Sequence, residues 1–304
     1  MPPTVAAAFD ALLADLRLTS AQQAIARGRI AHLRSLFTDY AVSRQPWAIG
    51  SYGRSTIIRR ERDIDVMVAL RADPYWGRYR LDSSKFLGNL RDNLNKAYPN
   101  TTVSRRRVAI CMALREGLGV DLVPVLPVTE VPVLTFLGWP LLRTRADGFY
   151  MPDGEGGWQK TNPPYHDELM RADDERLGRK LKPLVRLMKA WNLAKYGRLG
   201  SFHLEMMVRH VWSKAKAIPP LPIAMAQTLD GAARLAGREF RDPWSDGGRL
   251  DAYLDADRRE KAVRSLRGDA ARAREALAHE AAGNVPAAFE RWSVVFGHDF
   301  PVYG

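Results

Sequence analysis

Apolar residues recur at helical spacing from the first turn of the chain. Val5, Phe9, Leu12, Leu13 and Leu16 fall at three- and four-residue intervals, which predicts a short amphipathic helix ending near Leu18. Ser20 is the expected cap of a second helix over about Ala21 to Tyr40, with Ile25, Ile30, Leu33, Leu36 and Phe37 as its apolar positions. After Pro46 the period changes. Trp47-Ala48-Ile49 is short and apolar, Gly50-Ser51-Tyr52-Gly53 predicts a tight turn, and Ile64 to Leu70 predicts a buried strand. A helix over about Ser83 to Tyr98 follows, then two strands, Val103 to Leu114 and Val120 to Leu126, with Gly117 and Gly119 turning the chain between them. The sum is a mixed sheet with helices on one side.

From Thr129 to Pro164 the chain is rich in Gly and Pro, and Gly148 to Trp158 reads as loop and hairpin. From His166 onward the pattern is helical. Pro183 predicts a break just before it, and Pro286 is expected at the first position of a last helix that Gly297 ends. The Ala/Arg/Glu-rich stretch Arg267 to Ala282 predicts a solvated helix. The fold class expected is therefore α+β, with an α/β lobe over residues 1–163, including N-terminal helices that bridge both parts, and a helical lobe over 164–304.

With 304 residues, 46% of them hydrophobic, the chain can bury one large core or two modest ones. Forty-six Lys and Arg against 34 acidic residues give a formal charge of +12, which favours polyanionic partners. Nucleoside triphosphates and nucleic acid both qualify, as does a basic surface that binds nothing. Cys111 is the single cysteine, so an internal disulfide and a cysteine-cluster zinc site are excluded. The histidines form no His-x-x-x-His pair, and His203 and His210 lie seven apart. Asp10, Asp15 and Arg17 interrupt any secretory signal, and no segment approaches the ~18 uncharged apolar residues of a membrane span. A cytoplasmic monomer is expected.

Candidate chemistry concentrates between Ile49 and Val68. Alternate residues of a strand share a face, so Asp63 and Asp65 project together while Ile64, Val66 and Val68 point into the core. Two adjacent carboxylates suit a hard cation. Gly50-Ser51 upstream can offer backbone amides and a hydroxyl to phosphates, and Asp121 heads a later strand. Three carboxylates are enough for two metals about 3.5–4 Å apart, which activate an attacking hydroxyl and neutralise a leaving pyrophosphate.

Gly-Ser, then Asp-x-Asp on a strand, then a distant single Asp resembles the polymerase-β-like nucleotidyltransferases. Within them the chain is most similar to the bacterial cyclic-oligonucleotide synthases of anti-phage defence, relatives of cyclic GMP-AMP synthase and oligoadenylate synthase. Trp158 to Pro163, Val185 to Asn192, Ser201 to Glu205 and Trp292 to Pro301 extend the resemblance over nearly the whole chain. It implies a polymerase-β-like lobe joined to a helical lobe as in oligoadenylate synthase. It implies too that Asp63, Asp65 and Asp121 hold two Mg²⁺ or Mn²⁺ ions, and that Asp121 assists deprotonation of the acceptor hydroxyl. Gly50 and Ser51 would hold the donor phosphates. Lys182, Arg186 and Lys189 read on spacing alone as a solvated basic stripe, but the resemblance gives Lys189 to the donor triphosphate. Ser201 becomes a second phosphate contact at a helix start, where a plain cap is the other reading, and Glu205 a structural partner for an arginine. Where many relatives have Gly-Thr after the Gly-Ser turn, this chain has Ser55-Thr56, so the segment after the turn is expected to begin differently.

The activity implied is synthesis of a cyclic di- or trinucleotide messenger from nucleoside triphosphates with release of pyrophosphate. Two alternatives stay open: a template-independent transferase making a linear product on RNA, protein or a small molecule, and a catalytically silent nucleic-acid-binding module using the basic surface. Gly304 is a candidate point of attachment for a conjugating or regulatory defence partner, by resemblance, against the plainer reading of a frayed terminus.

Overall fold

The computed structural model describes residues 1–114, 117–131, 135–136, 139–140, 147–244 and 247–304. Helix α1 (Val5–Leu16) is capped by the Thr4 hydroxyl, and α2 (Ser20–Leu36) by a reciprocal capping box between Thr19 and Gln22. The cap of α2 is therefore Thr19 rather than Ser20. The helix also ends earlier than expected, tightening at Phe37–Asp39 into a 3-10 turn that buries Phe37.

Strand β1 (Val42–Ala48) leads through the one-turn helix α3 (Gly50–Gly53) to β2 (Asp63–Leu70), followed by α4 (Trp76–Tyr79) and α5 (Ser83–Ala97). Val103 to Leu114, expected as one strand, is a hairpin of β3 (Thr102–Arg106) and β4 (Ala109–Ala113). The chain reverses at Arg107, which takes a positive φ of 21°. Three consecutive arginines contain none of the Gly, Asn or Pro that announces a turn, which is why periodicity missed it. β5 (Gly119–Pro127) completes a core sheet in the order β1-β2-β5-β4-β3, in which β2 and β5 run parallel and the other pairs antiparallel. Beyond it come the short pair β6 (Thr135–Phe136) and β7 (Trp139–Pro140), then the hairpin β8 (Phe149–Pro152) and β9 (Trp158–Thr161), of which β8 pairs with the end of β5.

The two-residue alternation of β2 decides what each face does. Ile64, Val66, Val68 and Leu70 bury with Val120 and Leu122 of β5 beneath α2 and α5. Met67, Ala69, Val123 and Val125 form a small core on the opposite face, and it is this face that carries Asp63, Asp65 and Asp121.

The rest is helical: α6 (Pro163–Arg176), α7 (Leu181–Ala194), α8 (Ser201–Trp212), α9 (Leu221–Ala236), α10 (Ala256–Ala281) and α11 (Val285–Phe296). The expected break before Pro183 lies at Leu177 to Lys180, where Gly178 and Arg179 both take positive φ; Pro183 is the third residue of α7, where its missing N–H breaks no helical bond. Pro286 is the second residue of α11, one later than expected. The stretch 267–282 is not a wholly solvated helix. It is the second half of α10, which buries Leu266, Ala270, Ala273 and Ala276 completely. Alanine adds little to a hydrophobic pattern, yet its small size lets α9 and α11 pack closely on this stripe. The N-terminal helices divide between the cores. α1 packs into the helical lobe, with Phe9 edge-on to Trp292 at 4.8 Å, whereas α2 covers the sheet. Among the described residues no helix is long and apolar enough to cross a membrane.

Candidate active site

The site begins where β1 ends. The Ile49 N–H donates to the Asp65 carbonyl at 3.0 Å, which fixes the following turn above β2. Gly50 has φ +62°, and a Cβ there would stand 1.9 Å from Asp65 Oδ2. Glycine is required twice, for backbone conformation and for the carboxylate lying against it. After Arg54 the chain does not continue as a helix. Ser55 takes φ 59°, and the Thr56 and Ile57 N–H groups return to the Ser51 carbonyl at 2.8 and 3.0 Å.

Asp63 pairs with Gly119 and Asp65 with Asp121 across the parallel ladder of β2 and β5. All three carboxylates therefore sit on one face, at the same end of neighbouring strands about 4.8 Å apart. They are splayed. Asp65 leans over Gly50, while Asp63 Oδ1 stands 2.1 Å from where a Gly119 Cβ would be. Among the described residues no three acidic, histidine or cysteine side chains converge on a single point. Their closeness is felt in the protonation of the group. Burial, then the charge of Asp121, pushes Asp65 up to about 7 and raises Asp63 as well. Cys111 stands opposite Asp121 on β4, and burial together with the neighbouring carboxylate drives the thiol up to about 12. A set of hard oxygen donors held at this electrostatic cost fits divalent cations.

The opposite wall comes from the helical lobe. Lys189 is 3% exposed, so it is not part of a solvated stripe. Its ammonium lies 2.9 Å from Glu205 and 3.1 Å from Glu61. Glu205, fully buried, also accepts from Arg54 Nε at 2.7 Å. Burial would raise the Glu205 carboxyl, but Arg54 and Lys189 outweigh it and hold the group at about 2. Arg54 in turn lies 3.6 Å from Asp167 and over the Phe202 ring. Ser201 is the first residue of α8 and not its cap, a position held by Gly200, and its hydroxyl donates to Glu61 at 3.3 Å. The Ser51 hydroxyl donates to the other oxygen of the same carboxylate at 3.1 Å.

Between these walls is a cavity of 410 Å³ lined by Gly50, Ser51, Arg54, Glu61, Asp63, Asp65 and Ser201 on its polar side. Met67, Val123, Met151 and Phe202 form an apolar side of the kind that accepts a flat ring. Asp121 and Lys189 are not among the lining residues. The structure thus gathers Gly50, Ser51, Asp63, Asp65 and Ser201 at one cavity, with Asp121 and Lys189 each one contact away. Sequence reading missed Arg54 and Glu61, the close approach of Gly119 to Asp63 and the place of Cys111 opposite Asp121. Charged residues in a run rich in arginine carry no signal of which one is buried.

Residues 3–136 match the family described as the Second Messenger Oligonucleotide or Dinucleotide Synthetase domain. A curated relative from Escherichia coli, the CBASS oligonucleotide cyclase CdnC, is 28% identical over 171 residues, 53% of this chain and 49% of its own. A probable cyclic nucleotide synthase of Bacillus cereus is 23% identical over 153 residues, 50% of this chain and 46% of its own. The matched region spans about half the length of these relatives. Two solved structures share the fold, the first of them aligning almost end to end. E. coli CdnC with ATP gives a TM-score of 0.75 at 18% identity, over 97% of this chain and 98% of that one. The Vibrio cholerae cyclic AMP-GMP synthase DncV, in complex with a linear intermediate, gives 0.63 at 17% identity over 84% and 70%. The chain thus matches the synthetase domain of cyclic-oligonucleotide synthases over residues 3–136 and shares the fold of the solved CdnC and DncV structures.

Proposed function

We propose that this chain joins nucleoside triphosphates into a cyclic di- or trinucleotide messenger of anti-phage signalling, releasing pyrophosphate at each bond. One observation supports this above the others: of three carboxylates on one face of adjacent parallel strands, two line a 410 Å³ cavity with the Ser51 and Ser201 hydroxyls, and the Lys189 ammonium stands one contact behind. Asp63, Asp65 and Asp121 would hold two Mg²⁺ or Mn²⁺ ions. When bound, such ions lower the pKa of an attacking hydroxyl and neutralise a leaving pyrophosphate.

The remaining work falls to the chain's own residues. The Gly50–Ser51 turn and Ser201 bind the donor phosphates through amides and hydroxyls, and Lys189 supplies the positive charge behind them. Asp121, across the ladder from Asp65, accepts the proton of the acceptor hydroxyl. Phe202 and the methionines flank the bases, and the cavity walls keep the acceptor in line with the donor.

The domain division at residue 163, a cytoplasmic location and a monomeric state are parts of the same reading. So is a regulatory protein partner, supported by a solved E. coli CdnC:HORMA-deltaN complex that aligns over 96% of this chain at a TM-score of 0.74 and 20% identity. Gly304 is exposed and accessible to a conjugating partner. Conjugation that survived its deletion would remove that element.

The test is incubation of the purified protein with the four labelled ribonucleotides and Mg²⁺ or Mn²⁺, followed by mass identification of products. A phosphatase-resistant cyclic product is expected, and a product that keeps a removable 5′-phosphate would instead mark a linear transferase. The double variant Asp63→Ala/Asp65→Ala should release no pyrophosphate above background. Release at the parent rate would remove the carboxylates from the mechanism.

A further inference from the structure

Glu61 has no part in the chemistry above, yet it sits at the centre of the groups assigned to the donor. Its Oε1 receives the Lys189 ammonium at 3.1 Å and the Ser201 hydroxyl at 3.3 Å. Its Oε2 receives the Ser51 hydroxyl at 3.1 Å and the Ile58 N–H at 3.0 Å. Two donors come from the sheet lobe and two from the helical lobe. Three of the four are the side chains read above as phosphate contacts.

A carboxylate and a terminal phosphate offer such donors the same thing, an anion with two oxygens that accept several charge-assisted hydrogen bonds. Donors aimed at one anion are therefore already arranged for the other. Glu61 is also not needed to neutralise the lysine. Glu205, fully buried 2.9 Å from the ammonium, does that without it. Nor is Glu61 locked in place, since its side chain is 24% exposed and lines the cavity. A phosphate brought to Ser51, Lys189 and Ser201 and the Glu61 carboxylate cannot occupy that point together.

We propose that Glu61 is an internal placeholder for the donor phosphates. It keeps the hydroxyls and the ammonium converged across the lobe boundary in the free protein, and the incoming triphosphate displaces it. Displacement opposes binding, so donor affinity is set partly by how firmly this carboxylate is held. The inference rests on the reading of Ser51, Lys189 and Ser201 as phosphate contacts.

The probe is inorganic tripolyphosphate with Mg²⁺, which makes the test independent of base. Its dissociation constant is measured by titration calorimetry on the full chain for the parent, Glu61→Gln and Lys189→Ala. Glutamine keeps the shape and an acceptor for Ile58 but gives up the charge, so Glu61→Gln should bind roughly tenfold more tightly. Lys189→Ala should bind more weakly. A residue that merely braced the site would behave oppositely, because loosening the donors weakens any ligand. Tighter binding in Glu61→Gln with weaker binding in Lys189→Ala supports the placeholder. Unchanged or weaker binding in Glu61→Gln, with Lys189→Ala still impaired, overturns it and leaves the phosphate contacts standing. Parental affinity in Lys189→Ala removes the phosphate reading and the placeholder with it. If Glu61→Gln folds poorly, Glu61→Asp gives the same decision, since a side chain one methylene shorter holds the donors less well. Tighter binding again supports the proposal, and parental or weaker binding overturns it.

Discussion

Adding one methyl group at Gly119 should separate catalysis from stability. A Cβ at this position would lie 2.1 Å from Asp63 Oδ1, where ordinary contact begins near 3.4 Å, so the carboxylate must retreat by 3.4 − 2.1 = 1.3 Å. The next neighbour, the Met112 carbonyl, already stands at 3.4 Å and need not move. Gly119 does not have the positive φ that penalises alanine. The strain therefore falls on one side-chain torsion of Asp63, about 1 kcal/mol for a shift off its preferred rotamer. At 2–4 °C per kcal/mol for a chain of this size, Gly119→Ala should melt within about 4 °C of the parent. Activity should respond far more, because misplacing a reacting group by about 1 Å can cost on the order of 100-fold. We predict a loss of that order in pyrophosphate release under saturating nucleotide. Turnover within threefold of the parent, at matched melting temperature, would refute the claim that the position of Asp63 governs the chemistry.

Gly50→Ala should behave differently, because its φ of +62° adds about 1–2 kcal/mol of backbone strain to a 1.9 Å clash with Asp65. Both melting temperature and turnover should fall, and a variant with parental melting would contradict the geometry of the turn. Glu205→Ala leaves the buried Arg54 and Lys189 without their shared partner and should cost about 3–5 kcal/mol by denaturant titration. A cost below 1 kcal/mol would mean that these charges are solvated. His203 supplies a pH dependence. Burial pulls its pKa from 6.5 to about 4, Asp251 opposing and Arg259 assisting. A depressed folded-state pKa means that its contribution is complete above pH 6.5 and is lost as pH falls to about 4, a difference of roughly 3 kcal/mol at most. His203→Gln should flatten the stability curve between pH 6.5 and 4, and an unaltered slope there would show that the imidazole is not held neutral.

What could be read from the sequence followed from how locally each feature is determined. The alternation around Asp63 and Asp65 needs only the two-residue period of a strand, so their shared face was legible. That Asp121 lies opposite Asp65 was not. Strand register depends on which strands become neighbours, and β2 and β5 are separated in the chain by α5 and a hairpin that periodicity merged into one strand. The stripe of α10 was misjudged for a related reason, since alanine burial is decided by the approach of α9 and α11 rather than by hydrophobicity. Lys189 shows the limit most sharply. Its spacing with Lys182 and Arg186 is that of an exposed stripe, and it is the arrival of the buried Glu205 from α8 that makes burial of its charge tolerable.

That arrangement has a consequence for how the lobes can move. Arg54, Glu205, Lys189 and Glu61 form an alternating chain of charge, with Arg54 and Glu61 from the sheet lobe and Glu205 and Lys189 from the helical lobe. Opening the cleft along this seam would separate pairs whose members cannot all reach water, since Glu205 is fully buried and Lys189 nearly so. The cost of parting a buried pair is several kcal/mol, far above thermal energy. Glu61 is the most exposed member of this chain and lines the cavity together with Ser201, which donates to it. Substrate entry therefore has an inexpensive route, rearrangement at Glu61, and an expensive one, separation at Arg54 and Glu205. The lobes should stay docked through the cycle while side chains at the cavity exchange one anion for another.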